Sequence, residues 1–269
     1  MDLVVFGDSW TYGDELIPDT PIYRNSVNIG GLVNKDYVFN QYHNLSVNGA
    51  SLQHIILQIL TYINSDDYSS DNLVLVGLTS PMRRLRFNNL SKGPTNSSTH
   101  DWSEYCNYGD ISLVNSKVFE TWWKTNNTFH VNVRNDLLTY FNACCTIKSL
   151  LASHSKYIIW QSIDGNLYDK VENGFNEIIG DYENNKSTYI EHYDNTSVFN
   201  KDLVRNTILK NLSPTQQWLN FDNSSWMDVL HSTNDTSLIV KGGMHPSEAG
   251  IQYWYTSFLK KYIHKVLDM

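Results

Sequence analysis

The segment LVVFGDSW, residues 3–10, gives the clearest indication of the fold. Its first residues, Leu3 to Phe6, are all apolar and include adjacent valines, which is typical of a short strand buried on both faces. Gly7 ends this run and places Ser9 on the turn after the strand, at the sheet edge where open parallel sheets bind ligands. Two interpretations of Ser9 are open: it caps the next helix through its side-chain oxygen, or it acts on a bound ligand.

Other apolar patterns predict the remaining framework. Residues 72–77 (NLVLVG) and 156–161 (KYIIWQ) predict two further buried strands. Apolar residues at helical spacing predict helices over 51–60, 137–151 and 247–266. Strands that alternate with helices across long crossovers favour a parallel sheet covered by helices, so the sequence predicts an α/β fold.

The segments between these elements have weaker periodicity. A loop is predicted from the first strand to about Gly31, and a polar surface loop over 88–110. Residues 37–39 (YVF) are either a short strand or the end of a helix. Residues 165–235, rich in Asn, Asp and Tyr, are predicted to hold an insertion or cap within a single domain that spans 1–269.

Composition excludes several classes of function. The net charge of −8 argues against a surface that binds a nucleic-acid duplex but leaves a local basic patch open. No apolar run reaches the roughly 18 residues that a membrane span requires. The three cysteines, Cys106, Cys144 and Cys145, have no zinc-binding spacing, so no metal is expected, and they fit reduced thiols. Because a strand begins at residue 3, no room is left for a signal peptide. We therefore expect a cytoplasmic protein, in the host cytoplasm if it is viral.

A candidate base for Ser9 lies late in the chain. A nucleophilic serine needs a base within hydrogen-bond reach and donors for the developing oxyanion. The segment KGGMHPS, residues 241–247, holds His245 on a Gly-rich loop before the last helix, from where it can point at a strand edge. The alternative is an exposed loop histidine. Gly49 before the helix over 51–60, and Thr79 after the strand over 72–77, are candidate oxyanion positions or ordinary turn residues.

Four short blocks of this sequence resemble the conserved blocks of the SGNH, or GDSL-type, hydrolases, and occur in that family's order. They are GDSW (7–10), Gly49, GLT (77–79) and HPS (245–247). The segments GDSWTYG and GLTSPMRR also look like small hydrolase-like proteins encoded by tailed phages. The resemblance is carried by few residues, but these extend over the whole chain.

The resemblance implies a three-layer α/β/α sandwich with a flavodoxin-like parallel sheet. It also implies ester hydrolysis through an acyl-enzyme, without a metal or a cofactor. By position, Ser9 would be the nucleophile and His245 the general base. The backbone N–H groups of Ser9 and Gly49 would line the oxyanion hole, and Thr79 stands where the family has an asparagine donor.

The sequence departs from the family at the acid that orients the histidine. The family has an aspartate three residues before the histidine, and Gly242 stands there in this chain. Three explanations are open. A backbone carbonyl orients His245 in a Ser–His dyad; an acid from a neighbouring segment, such as Asp228, Asp235 or Glu248, takes that role; or the site is degenerate.

Two features bear on the substrate. The basic cluster PMRRLR (81–86) follows the Gly77 block, so Arg83 and Arg84 are candidate ligands for an anionic group, such as that of an acylated acidic sugar. The alternative is a helix whose arginines pair with surface acids. Aromatic residues in the polar segments suit either sugar stacking or the core of an insertion: Trp102, Trp122, Trp123, Trp218 and Trp226.

The predicted function is removal of a short acyl group, such as acetyl, from a carbohydrate or a similar polar small-molecule ester. A thioesterase or lysophospholipase on the same scaffold is the nearest alternative. A binding protein that has lost turnover is an alternative of another class, suggested by the missing aspartate and asparagine. A structural component of a virion is a third, suggested by the likeness to phage proteins.

Overall fold

The computed structural model describes residues 1–80, 83–87, 102–106, 133–154, 156–163, 218–219 and 225–268. Trp122, Trp123 and most of 165–235 lie outside these ranges. The strands in chain order are β1 (Leu3–Phe6), β2 (Tyr42–Asn44), β3 (Leu73–Leu78), β4 (Arg83–Phe87), β5 (Trp102–Cys106), β6 (Tyr157–Gln161) and β7 (Trp218–Leu219).

The main sheet has five strands in the order β2-β1-β3-β6-β7, and every neighbouring pair is parallel. Counting only the strands of this sheet, the order is 2-1-3-4-5, which is that of flavodoxin-like folds. The apolar runs that predicted strands over 3–6, 72–77 and 156–161 form β1, β3 and β6, side by side at the centre of the sheet. The predicted α/β class is confirmed.

Helices cover both faces of this sheet. They are α1 (Ser9–Tyr12), α2 (Pro21–Val27), α3 (Ile29–Asp36), α4 (Leu52–Ile63), α5 (Val133–Leu150), α6 (Trp226–Ser232), α7 (Glu248–Trp254) and α8 (Lys260–Leu267). A π-helical turn, Tyr255–Leu259, joins α7 to α8. None of the helices within the described ranges is long and apolar enough to cross a membrane.

Alternate side chains of β1 enter two separate cores, as the pleat of a strand requires. Val4 and Phe6 pack with α4 and α5. Leu3 and Val5 pack with α3, α6, α7 and α8. The three-layer α/β/α arrangement is therefore confirmed, and β1, with Ser9 directly after it, lies in its interior.

The predicted loop up to about Gly31 is wrong, because α1, α2 and the start of α3 lie within it. These helices have four to eight residues and depend on polar caps: the side chains of Asp8, Thr20 and Asn28 accept hydrogen bonds from their first turns. The same residue types indicate turns when a sequence is read alone. Tyr37 is the C-cap of α3, so residues 37–39 follow the end of a helix.

The predicted surface loop over 88–110 is wrong in part. Residues 102–106 form β5, which pairs antiparallel with β4 in a separate two-stranded sheet. Arg83 and Arg84 therefore lie in a strand and not in the helix that was considered as their alternative.

The described residues at the end of the 165–235 segment belong to the main body of the domain. β7 is the edge strand of the main sheet beside β6, and α6 packs in the core. Trp226 in α6 is fully buried and stacks on Trp254, with ring centroids 5.6 Å apart. Trp226 is thus a core residue with no face available to a sugar. An insertion elsewhere within 165–235 stays a prediction.

Candidate active site

The turns after β1, β2, β3 and β6 meet at one edge of the sheet. Beyond the end of β2, the N–H groups of Leu45 and Val47 donate to the carbonyls of Val5 and Gly7. On the other side of β3, the N–H of Ser162 donates to the carbonyl of Leu78. The sequence blocks around Ser9, Gly49 and Thr79 therefore leave the sheet together.

Ser9 is the first residue of α1, and the preceding residue caps that helix. An Asp8 carboxylate oxygen lies 3.1 Å from the N–H of Trp10 and 3.5 Å from that of Thr11. The Asp8 carbonyl accepts from Tyr12. The Ser9 side chain is 1% exposed, and its hydroxyl makes no hydrogen bond within the described residues. Asp8 therefore fills the capping role, which leaves the Ser9 hydroxyl and N–H outside the cap.

Small residues at the strand ends let α1 approach the sheet closely. A Cβ on Gly77 would lie 2.0 Å from the Thr11 hydroxyl oxygen, and one on Gly7 would lie 2.5 Å from it. The hydroxyls of Thr11, Thr79 and Ser162 are also buried without a hydrogen-bond partner among the described residues. With Ser9, they form a group of unsatisfied hydroxyls at this edge.

Gly49 lies in the turn between β2 and α4. Its φ of +76° is in the left-handed region, which glycine adopts without strain. The Val47–Gly7 hydrogen bond, 3.0 Å long, holds this turn beside the Ser9 turn. Ser51 then caps α4 by accepting from the N–H of His54.

Thr79 directly follows β3 and is fully buried. Its carbonyl accepts a 2.9 Å hydrogen bond from the Gln161 side-chain amide. The side-chain oxygen of the same amide, Gln161 Oε1, accepts a 2.5 Å hydrogen bond from the Tyr140 hydroxyl. These bonds fix the Thr79 backbone, while its hydroxyl has no hydrogen-bond partner among the described residues.

His245 lies on a closed, hairpin-like loop. The N–H of Val240 donates to the His245 carbonyl, and the N–H of Ser247 donates to the Leu238 carbonyl, both at 2.9 Å. Gly242 forms the turn of this loop with a φ of +77°. The Ser247 side chain then caps α7 by accepting from the N–H of Gly250, which anchors the loop to the last helix.

The loop carries the imidazole to α1. The His245 side chain is 14% exposed, and its ring centroid lies 6.3 Å from that of Trp10, the residue after Ser9. His245 is therefore not an exposed loop histidine. No hydrogen bond joins Ser9 Oγ to His245 in the described part of the chain, and such bonds are often long before substrate binds.

Two consecutive acids that the sequence analysis did not consider flank the imidazole. Glu15 Oε2 lies 3.1 Å from His245 Nδ1, and Asp14 Oδ2 lies 4.0 Å from Nε2. The Glu15 contact has the length of a hydrogen bond but not its alignment, since Nδ1 has no properly directed partner. Because α1 is only one turn long, these acids lie at the same edge of the sheet as Ser9. Their position a few residues after GDSW is the feature of the sequence that points to them.

The structure does not bring the acids proposed from sequence to His245. Asp235 caps a short 3₁₀ helix, where the side-chain and backbone hydrogen bonds from Ser237 hold its pKa below the ordinary value. Asp228 forms a capping box with Ser225. Glu248 accepts a 2.6 Å hydrogen bond from the Tyr23 hydroxyl.

For Arg83 and Arg84 the structure describes the backbone in β4, and their side chains lie outside the described residues. Their role as substrate ligands stays a prediction. Within the described ranges, no group of three or more His, Cys, Asp or Glu side chains could hold a metal ion.

A cavity of about 970 Å³ lies beside the His245 loop. Its lining includes Ile17, Tyr23, Gly242 and Glu15, but neither Ser9 nor the two other oxyanion candidates. Of the groups that contact the imidazole, Glu15 is the one that also lines this cavity. Ser9 is therefore not among the residues that line this cavity.

Comparison with known proteins gives similarity to solved structures alone. No family model matches the chain, and no curated protein matches it significantly. It is similar to a member of the lipolytic protein G-D-S-L family from Veillonella parvula DSM 2008, with 12% identity, a TM-score of 0.40, and coverage of 100% of this chain and 97% of that one. It is also similar to TesA, with 8% identity, a TM-score of 0.44, and coverage of 99% of this chain and 98% of that one. For the lipase Lip_vut3 from a goat rumen metagenome they are 12% identity, a TM-score of 0.44, and 97% of both chains. The fold assignment rests on the strand order of this chain itself.

Proposed function

We propose that the protein is a serine ester hydrolase of the SGNH, or GDSL, type. One observation carries the proposal: a buried serine hydroxyl without a partner begins a helix at the carboxyl end of a central strand, and a histidine loop closes over that helix. A structural serine would be expected to satisfy its hydroxyl, and Asp8 already provides the helix cap.

In the acylation step, Ser9 Oγ attacks the ester carbonyl and forms a new C–O bond. His245 Nε2 accepts the hydroxyl proton and then gives it to the leaving alcohol as the original ester C–O bond breaks. The N–H groups of Ser9 and Gly49, with the Thr79 hydroxyl, donate to the oxyanion of the tetrahedral intermediate. In deacylation a water molecule repeats the sequence, with His245 as its base, and releases the carboxylic acid and free Ser9.

We assign a short acyl group, such as acetyl, on a carbohydrate or a similar polar carrier. The 1% exposure of Ser9 supports this choice, because a narrow approach favours a small acyl group. Polar groups also surround the imidazole, since Asp14 and Glu15 both contact it. Arg83 and Arg84, a few residues after β3, are the proposed ligands for an anionic carrier.

A longer acyl chain, as in a thioesterase or lysophospholipase substrate, is a second candidate supported by a different observation. Met244, next to His245, is 78% exposed, and Ile17, which lines the neighbouring cavity, is 83% exposed. Large exposed apolar side chains near a reactive group suit an apolar ligand.

Hydrolysis of p-nitrophenyl esters of increasing chain length tests both candidates. The short-acyl proposal is supported if the acetate ester is hydrolysed faster than the octanoate ester and if Ser9→Ala and His245→Ala lose this activity. Acetylated sugars are then the next substrates to test. Faster turnover of octanoate supports the second candidate. Wild-type rates equal to those of Ser9→Ala would contradict ester hydrolysis and point to a binding protein.

A further inference from the structure

We propose that Glu15 is the positioning carboxylate of His245. It takes the role for which the family resemblance provides no acid in this chain, because Gly242 stands at the expected position. This inference rests on the proposed function, since it matters only if His245 serves as a base.

The contacts of Glu15 support this role. Oε2 is 3.1 Å from His245 Nδ1, and it lies 3.2 Å from the N–H of Met244 and 3.4 Å from that of His245. One carboxylate oxygen therefore accepts from two backbone N–H groups of the histidine loop and lies close to the ring nitrogen. The separation from Nδ1 is already hydrogen-bond length, so reorientation is enough to form the bond.

The chemistry of this contact suits a general base. A carboxylate at Nδ1 favours the tautomer with its proton there, which leaves the Nε2 lone pair to accept the Ser9 proton. It also stabilises the imidazolium formed at that moment. Asp14 is 4.0 Å from Nε2, beyond hydrogen-bond length, so it accepts no hydrogen bond that would favour a proton on Nε2 instead.

The backbone around the contact is shaped to permit it. Glu15 has a φ of +62°, in the left-handed region that residues with a side chain rarely adopt. Such outliers concentrate at functional sites, where the surroundings hold them in place. Opposite Glu15, a Cβ on Gly243 would lie 2.0 Å from Oε2. Glycine at 243 is therefore what lets the carboxylate reach the imidazole loop.

The alternatives to Glu15 are engaged elsewhere. Glu248 accepts from Tyr23, Asp228 caps α6, and Asp235 caps the 3₁₀ helix. Glu15 is the carboxylate that meets Nδ1 among the described residues. Its side chain is 36% exposed, so solvent weakens its influence compared with a fully buried acid.

The test compares Glu15→Gln with Glu248→Gln, a matched removal of one carboxylate charge at a position that does not touch His245. With p-nitrophenyl acetate we expect Glu15→Gln to lower kcat by about 10²-fold, less than the roughly 10⁴-fold known for a buried triad aspartate, and to leave KM nearly unchanged. Glu248→Gln is expected to keep wild-type kcat. Glu15→Asp keeps the negative charge on a shorter side chain, so its kcat should lie between those of wild type and Glu15→Gln. A role of Glu15 in folding alone would not explain this order.

A second readout does not depend on turnover. In protein labelled with ¹⁵N-histidine, we expect the His245 Nδ1 resonance to move in Glu15→Gln and to stay in place in Glu248→Gln and Ser9→Ala. Equal kcat values and equal Nδ1 resonances in Glu15→Gln and Glu248→Gln would overturn the inference while ester hydrolysis stands. Turnover that does not depend on Ser9 overturns the proposed function. The Nδ1 resonance then still shows whether Glu15 contacts His245.

Discussion

Two polar clusters of this protein differ in how well their hydrogen bonds are satisfied. On the helical layer, Asp36 in α3 lies 2.6 Å from Lys260 Nζ and accepts a 2.7 Å hydrogen bond from the Tyr255 hydroxyl. These bonds, first that of Lys260, hold the pKa of Asp36 below its ordinary value. At the carboxyl edge of the sheet, the buried hydroxyls of Ser9 and Thr79 have no partner among the described residues.

Under the proposed function, this difference separates a cluster that stabilises the fold from two hydroxyls that meet the substrate. A buried polar group without a partner costs about 1–3 kcal/mol of folding free energy, and proteins accept such costs mainly at functional sites. Substitutions of Ser9 and Thr79, the two of these hydroxyls with a proposed catalytic role, should therefore lower activity without lowering stability. Substitutions in the Asp36 cluster should do the opposite.

The largest effect is expected from Thr79→Val. Valine has nearly the shape of threonine but cannot donate to an oxyanion, so kcat for p-nitrophenyl acetate should fall by about 10²-fold. The melting temperature should stay level or rise, because an unsatisfied buried hydroxyl is removed.

Thr11→Val is the matched control for that substitution. It removes another unpartnered buried hydroxyl, one wedged between the strand ends at Gly7 and Gly77, and should keep wild-type kcat. A kcat for Thr79→Val equal to that of Thr11→Val would contradict the oxyanion role of Thr79.

A smaller loss of activity is expected from Gly243→Ala. The new methyl group would meet the flexible end of Glu15, so the carboxylate moves away from the imidazole at little cost in stability. We expect kcat to fall by roughly tenfold or more, but by no more than in Glu15→Gln, which removes the carboxylate altogether. Steady-state kinetics and a thermal melt measure the two quantities.

Gly242→Ala provides the comparison for Gly243→Ala. A Cβ at 242 would meet nothing within 4 Å, but the φ of +77° strains any side-chain-bearing residue, at a cost of about 1–2 kcal/mol. It should therefore lower the melting temperature more than kcat. The reverse ranking of the two alanine variants would contradict the proposed place of Glu15.

The smallest effect is expected from Asp36→Asn, which should lower the melting temperature by a few degrees and leave kcat unchanged. Because the folded-state pKa of Asp36 is depressed, its contribution is present above the unfolded-state pKa and lost as pH falls through the folded-state value. The stability difference between wild type and Asp36→Asn should therefore shrink in acid. A difference that grows as pH falls would contradict the assignment.

The sequence predicts the centre of this fold better than its periphery. The apolar runs of β1, β3 and β6 identify buried parallel strands without further information, because no polar residue interrupts them. The helices α1, α2 and α3 escape prediction since helices of four to eight residues are stable only through caps and tertiary packing. Trp226 resembles a loop aromatic in the sequence and belongs to the core.

The candidate site follows the same division. Ser9, Gly49, Thr79 and His245 are recognisable from local motifs. The sheet brings the first three loops to one edge, and the loop before the helix α7 brings His245 to α1. Glu15 belongs to none of these motifs, and the acids that proximity to His245 in the sequence favours are Asp228, Asp235 and Glu248. It lies beside the serine, 230 residues away from His245, and only the folded hairpin loop brings the two together.

Intact-protein mass spectrometry after exposure to a fluorophosphonate tests the central claim most directly, because an activated serine displaces fluoride and keeps the phosphonyl group. We predict a single adduct that maps to the peptide containing Ser9 and is lost in Ser9→Ala and His245→Ala. Folded wild-type protein that forms no adduct, or an adduct that persists in Ser9→Ala, would contradict the assignment of Ser9 as the nucleophile.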